Sequence, residues 1–232
     1  MSKVTDVTIT SVIKNRDKNV TIKYLESVKN QTYITKIAIT DFGSSQKNLT
    51  WERKVFAKYG VDFFIAKTNL EPFKETRGLN IAWKKVKTPY IIETGIDHVL
   101  SPNLIEETIK ILKSDKKAFV LCQRTDISQD GKSKTLHVKG AVGAFMGFRT
   151  DWIKKVRGGD EKFFLWGAWD SDLVERAEKD GFKLKWVSDM ADVTLYHNWH
   201  PKTPKPPGDD NFKYFKIPNK PIIRNPKEWG KI

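Results

Sequence analysis

The sequence predicts an α/β fold in which a central, mostly parallel mixed sheet is flanked by helices. Residues 7–13 alternate and are rich in β-branched side chains, which is typical of a strand. Apolar residues at helical spacing follow between Val20 and Lys29, and residues 34–40 form a second strand-like segment. A strand, a helix and a strand in this order make a βαβ unit, which requires a parallel pair.

The same alternation of strands and helices continues along the chain. Gly60 predicts the end of one helix, and Ser101 followed by Pro102 predicts the start of another. Residues 126–134 are polar and predict a loop, whereas the glycine-rich residues 138–148 predict a strand and a turn packed against a ligand or backbone. Further helices are expected at 49–59, 101–113, 152–156 and 173–179, and another follows segment 77–80 and runs through Trp83 and Val86. Further strands are expected at 61–65, 90–93, 117–122, 182–186 and 193–197.

Two breaks between these elements are candidate ligand sites. Lys14–Arg16 follows the first strand, and Asp41–Ser45 follows the second. Ligands of parallel sheets bind at the carboxyl ends of the strands, so both breaks lie where a ligand is expected. Neither a Walker lysine loop nor a dinucleotide-binding glycine pattern follows the first strand, which argues against those two kinds of site.

Length and composition limit the class of protein. The 232 residues, 39% of them hydrophobic, suffice for one substantial core. The sequence has no apolar run long enough for a transmembrane helix and no apolar signal-peptide stretch at its start. The single cysteine, Cys122, lies in an apolar run and is expected to pack as a small hydrophobic side chain. These features fit a reducing, cytoplasmic setting and leave peripheral membrane contact open.

The charge of the chain points to phosphate-bearing partners. A net charge of +14 attracts polyanions, although scattered lysines also suit a plain solvated surface. From Pro201 onward the chain holds seven of the ten prolines and eight Lys or Arg residues against three acids. We therefore expect a single domain at 1–200 and a mostly extended, basic tail at 201–232, anchored by Phe212, Tyr214, Phe215 and Trp229.

The segment from Gly158 to Leu173 is the most unusual part of the sequence. It combines two glycines, an aromatic run and two acids, Asp170 and Asp172, before a predicted helix. A carboxylate at the positive end of a helix stays ionised and can accept a proton or a hydrogen bond. Taken alone, Asp170 is either a helix N-cap or a functional carboxylate.

Five segments together carry a family resemblance. Residues 11–16 with 26–33 look like an opening strand and first helix, and residues 39–45 resemble a strand ending in D-x-G-S-S. Residues 77–80 resemble an R-x-x-N element, 158–173 resemble GG-(F)DE-x-F-x-x-WG-x-(E)D-x-DL, and 196–201 resemble a closing YH-x-WHP. In this order and spacing they resemble the GT-A glycosyltransferases, specifically family 2-like enzymes with the C-terminal half of galactosyltransferases and polypeptide N-acetylgalactosaminyltransferases.

The resemblance implies a Rossmann-like GT-A fold with a nucleotide-sugar-binding half at 1–100 and an acceptor-binding half at 101–200. It implies inverting transfer of a sugar from a nucleotide diphosphate, with UDP favoured, to a hydroxyl group. Asp97 and His197 would bind a divalent cation, Mn²⁺ or Mg²⁺, that neutralises the leaving group. Asp170 would deprotonate the acceptor.

Two positions depart from the family pattern. The Asp-x-Asp metal motif is present as Gly95-Ile96-Asp97, and the later Glu-Asp pair is present as Trp169-Asp170. The second acid of each pair remains, which is consistent with activity. The two lost acids also leave open an inactive nucleotide-sugar or carbohydrate-binding module.

The resemblance further implies contacts to the donor and the acceptor. Arginine suits a diphosphate through its bidentate fork, although a lone arginine equally forms surface salt bridges. The tryptophans could stack on a sugar or pack in the core, and Asp172 could instead order the helix start. Donor contacts are expected from Lys14, Arg16, Asp41, Arg77, Asn80, Ile96 and His200, and acceptor contacts from Trp166, Gly167, Trp169 and Asp172.

The motifs do not identify the acceptor. One interpretation is a glycan or glycoconjugate. Another is a hydroxymethylated base in DNA, motivated by the net charge and the basic tail. The first predicts no duplex binding, whereas the second predicts salt-dependent binding to DNA.

Overall fold

The structure is a computed structural model that describes residues 5–68, 71–139, 142–201 and 204–232. Its helices are α1 (Lys18–Lys29), α2 (Gln46–Tyr59), α3 (Glu75–Lys85), α4 (Leu104–Ser114), α5 (Thr150–Lys155), α6 (Trp169–Lys179) and α7 (Asp210–Phe215). Its strands are β1 (Val7–Ile13), β2 (Lys36–Asp41), β3 (Val61–Ile65), β4 (Tyr90–Thr94), β5 (His98–Leu100), β6 (Ala118–Leu121), β7 (Arg124–Ile127), β8 (Lys134–His137), β9 (Phe145–Arg149), β10 (Lys183–Trp186) and β11 (Leu195–His197). Residues 140–141 of the predicted glycine-rich turn and 202–203 of the predicted tail lie outside the described residues.

A large mixed sheet forms the centre of the fold. In the described part of the chain its seven strands run in the order β10-β6-β9-β4-β1-β2-β3. β9 is antiparallel to β4 and β6, and the other neighbouring pairs are parallel. Helices on both faces bury the apolar inner strands, as parallel sheets require. The predicted α/β fold with a mostly parallel sheet is therefore confirmed.

Each face of the sheet has its own core. On one face α1, α2 and α4 pack with side chains such as Tyr24 and Leu104 fully buried. On the other face α3, α5 and α6 pack around Trp83 and Leu173. The two cores fix the strand ends, and the parallel neighbours β1 and β4 end at the same edge. No helix among the described residues has the length and apolar character needed to cross a membrane.

A smaller sheet lies beside the large one. Over the described ranges its order is β5-β11-β7-β8. The loop predicted at residues 126–134 is wrong at both ends, because β7 and β8 pair as an antiparallel hairpin there. β7 also pairs in parallel with β11, about seventy residues further along the chain. Because this hairpin is polar and is held by pairing with a distant strand, the sequence of residues 124–137 shows no alternation of apolar residues that would predict it.

Most helices begin away from their predicted starts, and α4, α3 and α6 differ in ways that change an interpretation. α4 begins at Leu104 after Asn103, so the start predicted at Ser101–Pro102 is wrong. α3 begins at Glu75, which places segment 77–80 inside the helix rather than before it. α6 begins at Trp169 because Ala168 adopts a left-handed conformation with φ 65°. Asp170 is consequently a first-turn residue and not the N-cap.

The C-terminal segment, residues 204–232, packs onto the second core, and its helical part among the described residues is limited to 207–215. It contains α7, and the four predicted aromatic anchors pack there. The amide of Asn211 donates to the backbone oxygens of Phe164 at 2.7 Å and Gly167 at 3.1 Å. The amide of Asn225 donates to Gly159 O at 2.6 Å. These bonds satisfy loop carbonyls that the fold would otherwise leave buried, so the segment supports the loop before α6.

Candidate active site

A cluster of one carboxylate and two imidazoles lies at the carboxyl edge of the large sheet. Asp97 follows β4, His98 begins β5 and His197 ends β11. β5 and β11 are antiparallel, and their register sets His197 opposite His98. One ligand atom from each of the three side chains lies within 4.8 Å of the others. Carboxylate oxygens and neutral imidazole nitrogens bind divalent transition metals, so this cluster can hold a metal ion.

The two carboxylate oxygens of Asp97 face different partners. Oδ2 lies 3.0 Å from Arg16 Nη2 and 3.1 Å from His200 Nε2. Oδ1 lies 3.7 Å from His98 Nδ1 and 3.9 Å from His197 Nε2. Burial opposes ionisation of Asp97, but the His200 hydrogen bond and the neighbouring positive charges hold its pKa well below the usual range. Asp97 is therefore anionic at neutral pH, with one oxygen directed at the imidazoles.

His98 is a cluster member that the sequence analysis did not select. Burial lowers its pKa to about 4, so the imidazole is neutral, as a metal ligand must be. Its buried Nε2 has no hydrogen-bond partner among the described residues. A Cβ at Gly95 would lie 2.9 Å from His98 Nδ1 and 2.7 Å from Asp97 Oδ1. The acid missing from the metal motif has no room here because His98 fills that space.

Asp126 fixes the orientation of His197. Its Oδ1 lies 3.0 Å from His197 Nδ1, which leaves Nε2 directed toward Asp97. The same carboxylate contacts Arg124 Nε at 2.7 Å and His137 Nε2 at 2.8 Å. Since His137 joins the three other histidines, all four histidines of the chain belong to one network. Asp126 was missed because it lies at the edge of the segment predicted as a loop.

Asp170 lies in the first turn of α6, on the second-core face of the sheet. Its carboxylate accepts a hydrogen bond from Ser171 N at 2.9 Å. Burial raises its pKa, which moves the carboxyl toward the range that suits a general base. Gly143 lies against this side chain, and a Cβ there would be 2.7 Å from Asp170 Cβ. The glycine therefore provides the space that the carboxylate occupies.

We expect Gly143→Ala to displace Asp170 and lower any activity that uses its carboxylate. The added methyl group would also lie 2.9 Å from Asp170 Cγ, so the acid must move. A displacement of about 1 Å can cost roughly 100-fold in rate, whereas overpacking costs only about 1–3 kcal/mol of stability. The activity and the thermal melting of the variant measure the two effects. Unchanged activity in a folded variant would contradict this placement of Gly143.

The residues predicted to bind the acceptor lie in different environments. Trp166 is 46% exposed, with Lys205 Nζ 4.9 Å from its ring centroid, and can stack on a ligand. Trp169 is only 6% exposed and packs in the second core, which favours core packing, the alternative to stacking. Gly167 adopts φ 106°, and Phe212 packs against its Cα, 2.8 Å from where a Cβ would stand.

Asp172 does not face an acceptor site. It is 1% exposed and forms ion pairs with Arg176 Nε and Arg224 Nη2, each at 3.0 Å. A buried carboxylate that neutralises two guanidinium groups is not available to a ligand. These contacts favour the alternative that Asp172 orders the start of α6, and the residue joins α6 to the C-terminal segment.

The donor residues predicted on α3 make internal contacts. Arg77 Nη1 lies 2.8 Å from Glu71 Oε2, leaving the guanidinium partly exposed. Asn80 is fully buried, and its amide bonds both N and O of Gly159 at 2.8 Å. Asn80 thus holds the Gly158–Gly159 turn against α3, and its donor contact stays a prediction.

The remaining predicted donor residues follow β1, β2 and β4. The Asp41 carboxylate is buried and accepts from Gly43 N at 3.0 Å and Ser44 N at 3.1 Å. Ile96 is also buried, so only its backbone can meet a ligand, whereas Lys14 is half-buried at the end of β1.

A cleft of about 730 Å³ opens beside the metal-ligand cluster. Arg16 and His200 line the side of the cleft that faces Asp97, and both side chains contact the Asp97 carboxylate. Aromatic rings suit a base or sugar, and cations suit phosphate oxygens, so the cleft can receive a phosphate-bearing ligand. Its other walls are Asn15, Asp17, Lys18, Val20, Lys47, Asn48, Trp51, Trp199 and Pro201.

Comparison with known proteins assigns the class. The sequence profile of glycosyl transferase family 2 matches residues 8–165, more than half of the chain. The chain therefore belongs to glycosyl transferase family 2, and it adopts the GT-A fold. A comparison with the sequences of curated proteins gave no significant match.

Solved structures with this fold include three nucleotide-sugar-related proteins. TarS of S. aureus is 13% identical in sequence and superposes with a TM-score of 0.67. The match covers 84% of this chain and 37% of the TarS chain. GalNAc-T7 with UDP, GalNAc and Mn²⁺ has 14% identity and a TM-score of 0.69, covering 84% and 43%. The mannosyltransferase PcManGT of Pyrobaculum calidifontis, with GDP-Man and Mn²⁺, has 14% identity and a TM-score of 0.64, covering 84% and 57%. This chain thus corresponds to only part of each longer chain.

Proposed function

We propose that this protein is an inverting glycosyltransferase that moves a sugar from a nucleotide diphosphate, with UDP favoured, to a hydroxyl of a glycan or glycoconjugate. The observation that carries the proposal is the Asp97–His98–His197 cluster beside a basic cleft. Family membership and the fold support it. GalNAc-T7 and TarS have been solved with UDP or UDP-GlcNAc, which favours UDP here.

Asp97, His98 and His197 would hold a divalent cation. The fit rests on the neutral His98 imidazole with its unpartnered Nε2, and on Asp97 Oδ1 facing both histidines. Two nitrogen donors favour Mn²⁺ over Mg²⁺. When bound, the cation would neutralise negative charge on the leaving diphosphate.

Arg16 and His200 would bind diphosphate oxygens at the other side of Asp97. Both side chains contact Asp97 Oδ2 and both line the cleft, so a ligand there meets the remaining N–H groups of Arg16. Both ring nitrogens of His200 are engaged, Nε2 with Asp97 and Nδ1 with Pro201 O at 2.6 Å, so His200 would exchange one of these contacts for the ligand. Guanidinium groups bind phosphate oxygen pairs well. Lys14 and the partly exposed Arg77 are further candidate donor contacts at the same edge.

Asp170 would act as the base. Its carboxylate would take the proton of the acceptor hydroxyl, while that oxygen attacks the anomeric carbon from the side opposite the diphosphate. Attack from that side inverts the configuration. The exposed ring of Trp166, on the loop that leads into α6, would support the acceptor by stacking.

The C-terminal segment favours a glycan acceptor over DNA. Two of its basic groups are engaged within the protein, since Lys220 Nζ donates to Tyr214 O at 2.6 Å and Arg224 pairs with Asp172. A segment bound in this way is not a free basic arm for a duplex.

Binding of nucleotide sugars tests the proposed function. We expect UDP-GlcNAc, UDP-GalNAc or GDP-mannose to raise the melting temperature of the wild-type protein, and Mn²⁺ to increase the shift. Release of the nucleotide on longer incubation would show donor hydrolysis. If none of these donors raises the melting temperature with or without Mn²⁺, the proposed function is wrong.

A further inference from the structure

Trp169 stands at a position where the proposed function would use a hydrogen-bond acceptor for a sugar hydroxyl. In the resembled motif a glutamate precedes the base, but this chain has Trp169 there. A tryptophan cannot accept a hydrogen bond from a sugar hydroxyl, because its indole N–H is only a donor. A carboxylate from another part of the chain could restore that acceptor.

Glu75 brings a carboxylate to Trp169. The indole Nε1 of Trp169 donates to Glu75 Oε2 at 2.9 Å. Glu75 is the first residue of α3, 94 positions away in the sequence, and the contact joins α3 to the start of α6. Among the described residues, Oε1 of Glu75 has no hydrogen-bond partner, so it is the oxygen that a ligand can meet.

Glu75 lies beside the proposed base, because Trp169, which it contacts, directly precedes Asp170 in the first turn of α6. Burial, followed by the charges of Asp170 and Asp97, raises the pKa of Glu75 to about 7, against the effect of the Trp169 hydrogen bond. Burial also raises the pKa of Glu93 in β4 well above its usual value, and the charges of Glu75, Asp170 and Asp97 add to this shift. The contact with Trp169 therefore sets Glu75 next to the base, and the charge of Asp97 acts on it from the side of the metal-ligand cluster.

In-line attack requires the transferred sugar to lie between these same two groups. The diphosphate leaves on the side of Asp97, and the acceptor arrives on the side of Asp170. A side chain near both acids consequently flanks the sugar itself rather than the nucleotide or the acceptor. The other carboxylate nearby, Glu93, is 1% exposed and lies within the sheet, which leaves Glu75 as the group that can reach a sugar.

We infer that Glu75 binds a hydroxyl of the transferred sugar through Oε1, while Trp169 acts as a positioning residue that holds Oε2. The inference rests on the proposed function and names a determinant of which sugar is accepted. A nucleotide without a sugar makes no contact with Glu75, which separates this role from general donor binding.

The test compares nucleotide with nucleotide-sugar binding in Glu75→Gln. Glutamine keeps the shape and can still accept from Trp169, so the fold is retained. Melting temperatures and titrations with UDP, UDP-GlcNAc, UDP-GalNAc, GDP and GDP-mannose, all with Mn²⁺, give the affinities. A hydrogen bond to a charged group corresponds to about tenfold or more in affinity. We expect Glu75→Gln to lose about that factor for the preferred nucleotide sugar and nothing for its nucleotide.

Two further variants make the result specific. Trp169→Phe keeps a ring in the core but removes the indole N–H, and we expect a smaller loss in the same direction. Glu107→Gln makes the same chemical change on the surface of α4, where Glu107 pairs with Lys110, and should change neither affinity. Unliganded melting temperatures show whether each variant is folded.

Each outcome separates the inference from the proposed function. If wild-type protein binds a nucleotide sugar more tightly than its nucleotide and Glu75→Gln keeps that difference, the inference is wrong and the proposed function stands. Equal wild-type affinity for nucleotide and nucleotide sugar also overturns the inference alone. If no nucleotide and no nucleotide sugar binds the wild-type protein, both are wrong.

Discussion

Asp170→Asn is expected to abolish sugar transfer while leaving donor binding intact. Asparagine has the shape of aspartate but cannot accept a proton, and loss of a general base costs roughly 100- to 10,000-fold in rate. In the proposed function the donor binds at the Asp97 cluster and the cleft beside Arg16, which lie on other elements than α6. The nucleotide-sugar-induced rise in melting temperature should therefore persist.

The pH dependence of the wild-type enzyme gives a second measure of Asp170. Burial raises its pKa, so a larger fraction of the carboxyl is protonated and inactive at low pH than for an exposed aspartate. Transfer should increase as the pH rises through that pKa, because only the ionised form is a base.

Asp151→Asn is the matched control for this experiment. Asp151 also lies in the first turn of a helix, α5, but it is exposed and pairs with Arg149. Transfer should be unchanged in this variant. If Asp170→Asn keeps more than about a tenth of wild-type transfer, Asp170 is not the base, because the loss would be smaller than general-base catalysis supplies.

The elements of the sheet could be predicted because their signals are local. β1 follows from alternation within residues 7–13, and the end of α2 follows from Gly60, which adopts the left-handed conformation with φ 66°. The start of α6 could not be predicted in the same way. It depends on Ala168 in a left-handed conformation, which a non-glycine residue adopts only when tertiary contacts impose it.

The candidate site could be predicted only where a motif carried it. Asp97, His197 and Asp170 lie in recognisable segments, and the structure places the first two in one cluster. Asp126 and Glu75 have no motif, since each is placed by a contact with a residue far away in the sequence: His197 is 71 positions from Asp126, and Trp169 is 94 from Glu75. Such pairs become visible only when strand pairing and helix packing bring them together.

The same reason explains why the C-terminal segment was interpreted as a surface tail. The composition of the segment shows that it is basic, but it does not show which acidic residues its basic side chains pair with. Arg224 is 4% exposed at its side chain, and its guanidinium lies between Asp172 and Asp160 at 3.0 and 3.8 Å. A basic residue that appears solvated in the sequence is thus an internal ion-pair partner.

Asp172→Asn is expected to cause the largest loss of stability, about 3–5 kcal/mol in the free energy of unfolding. The substitution preserves shape but leaves the guanidinium groups of Arg176 and Arg224 without their main counter-charge. Both are almost inaccessible to water, at 0% and 4% side-chain exposure, so solvent cannot compensate. Arg176 Nη1 also donates to Gly158 O at 3.0 Å, so the loss extends to the loop that precedes α6.

Urea unfolding measures this effect, and a surface pair on the same helix provides its control. Glu175 pairs with Lys179 four residues further along α6, and both side chains are more than 40% exposed. Glu175→Gln should therefore cost about 0.5 kcal/mol or less. Because salt screens exposed charges far more than buried ones, 0.5 M NaCl should remove the small effect and preserve the large one. A loss below about 1 kcal/mol for Asp172→Asn would mean that the C-terminal segment is held by its aromatic contacts, and that the ion pairs with Arg176 and Arg224 add little.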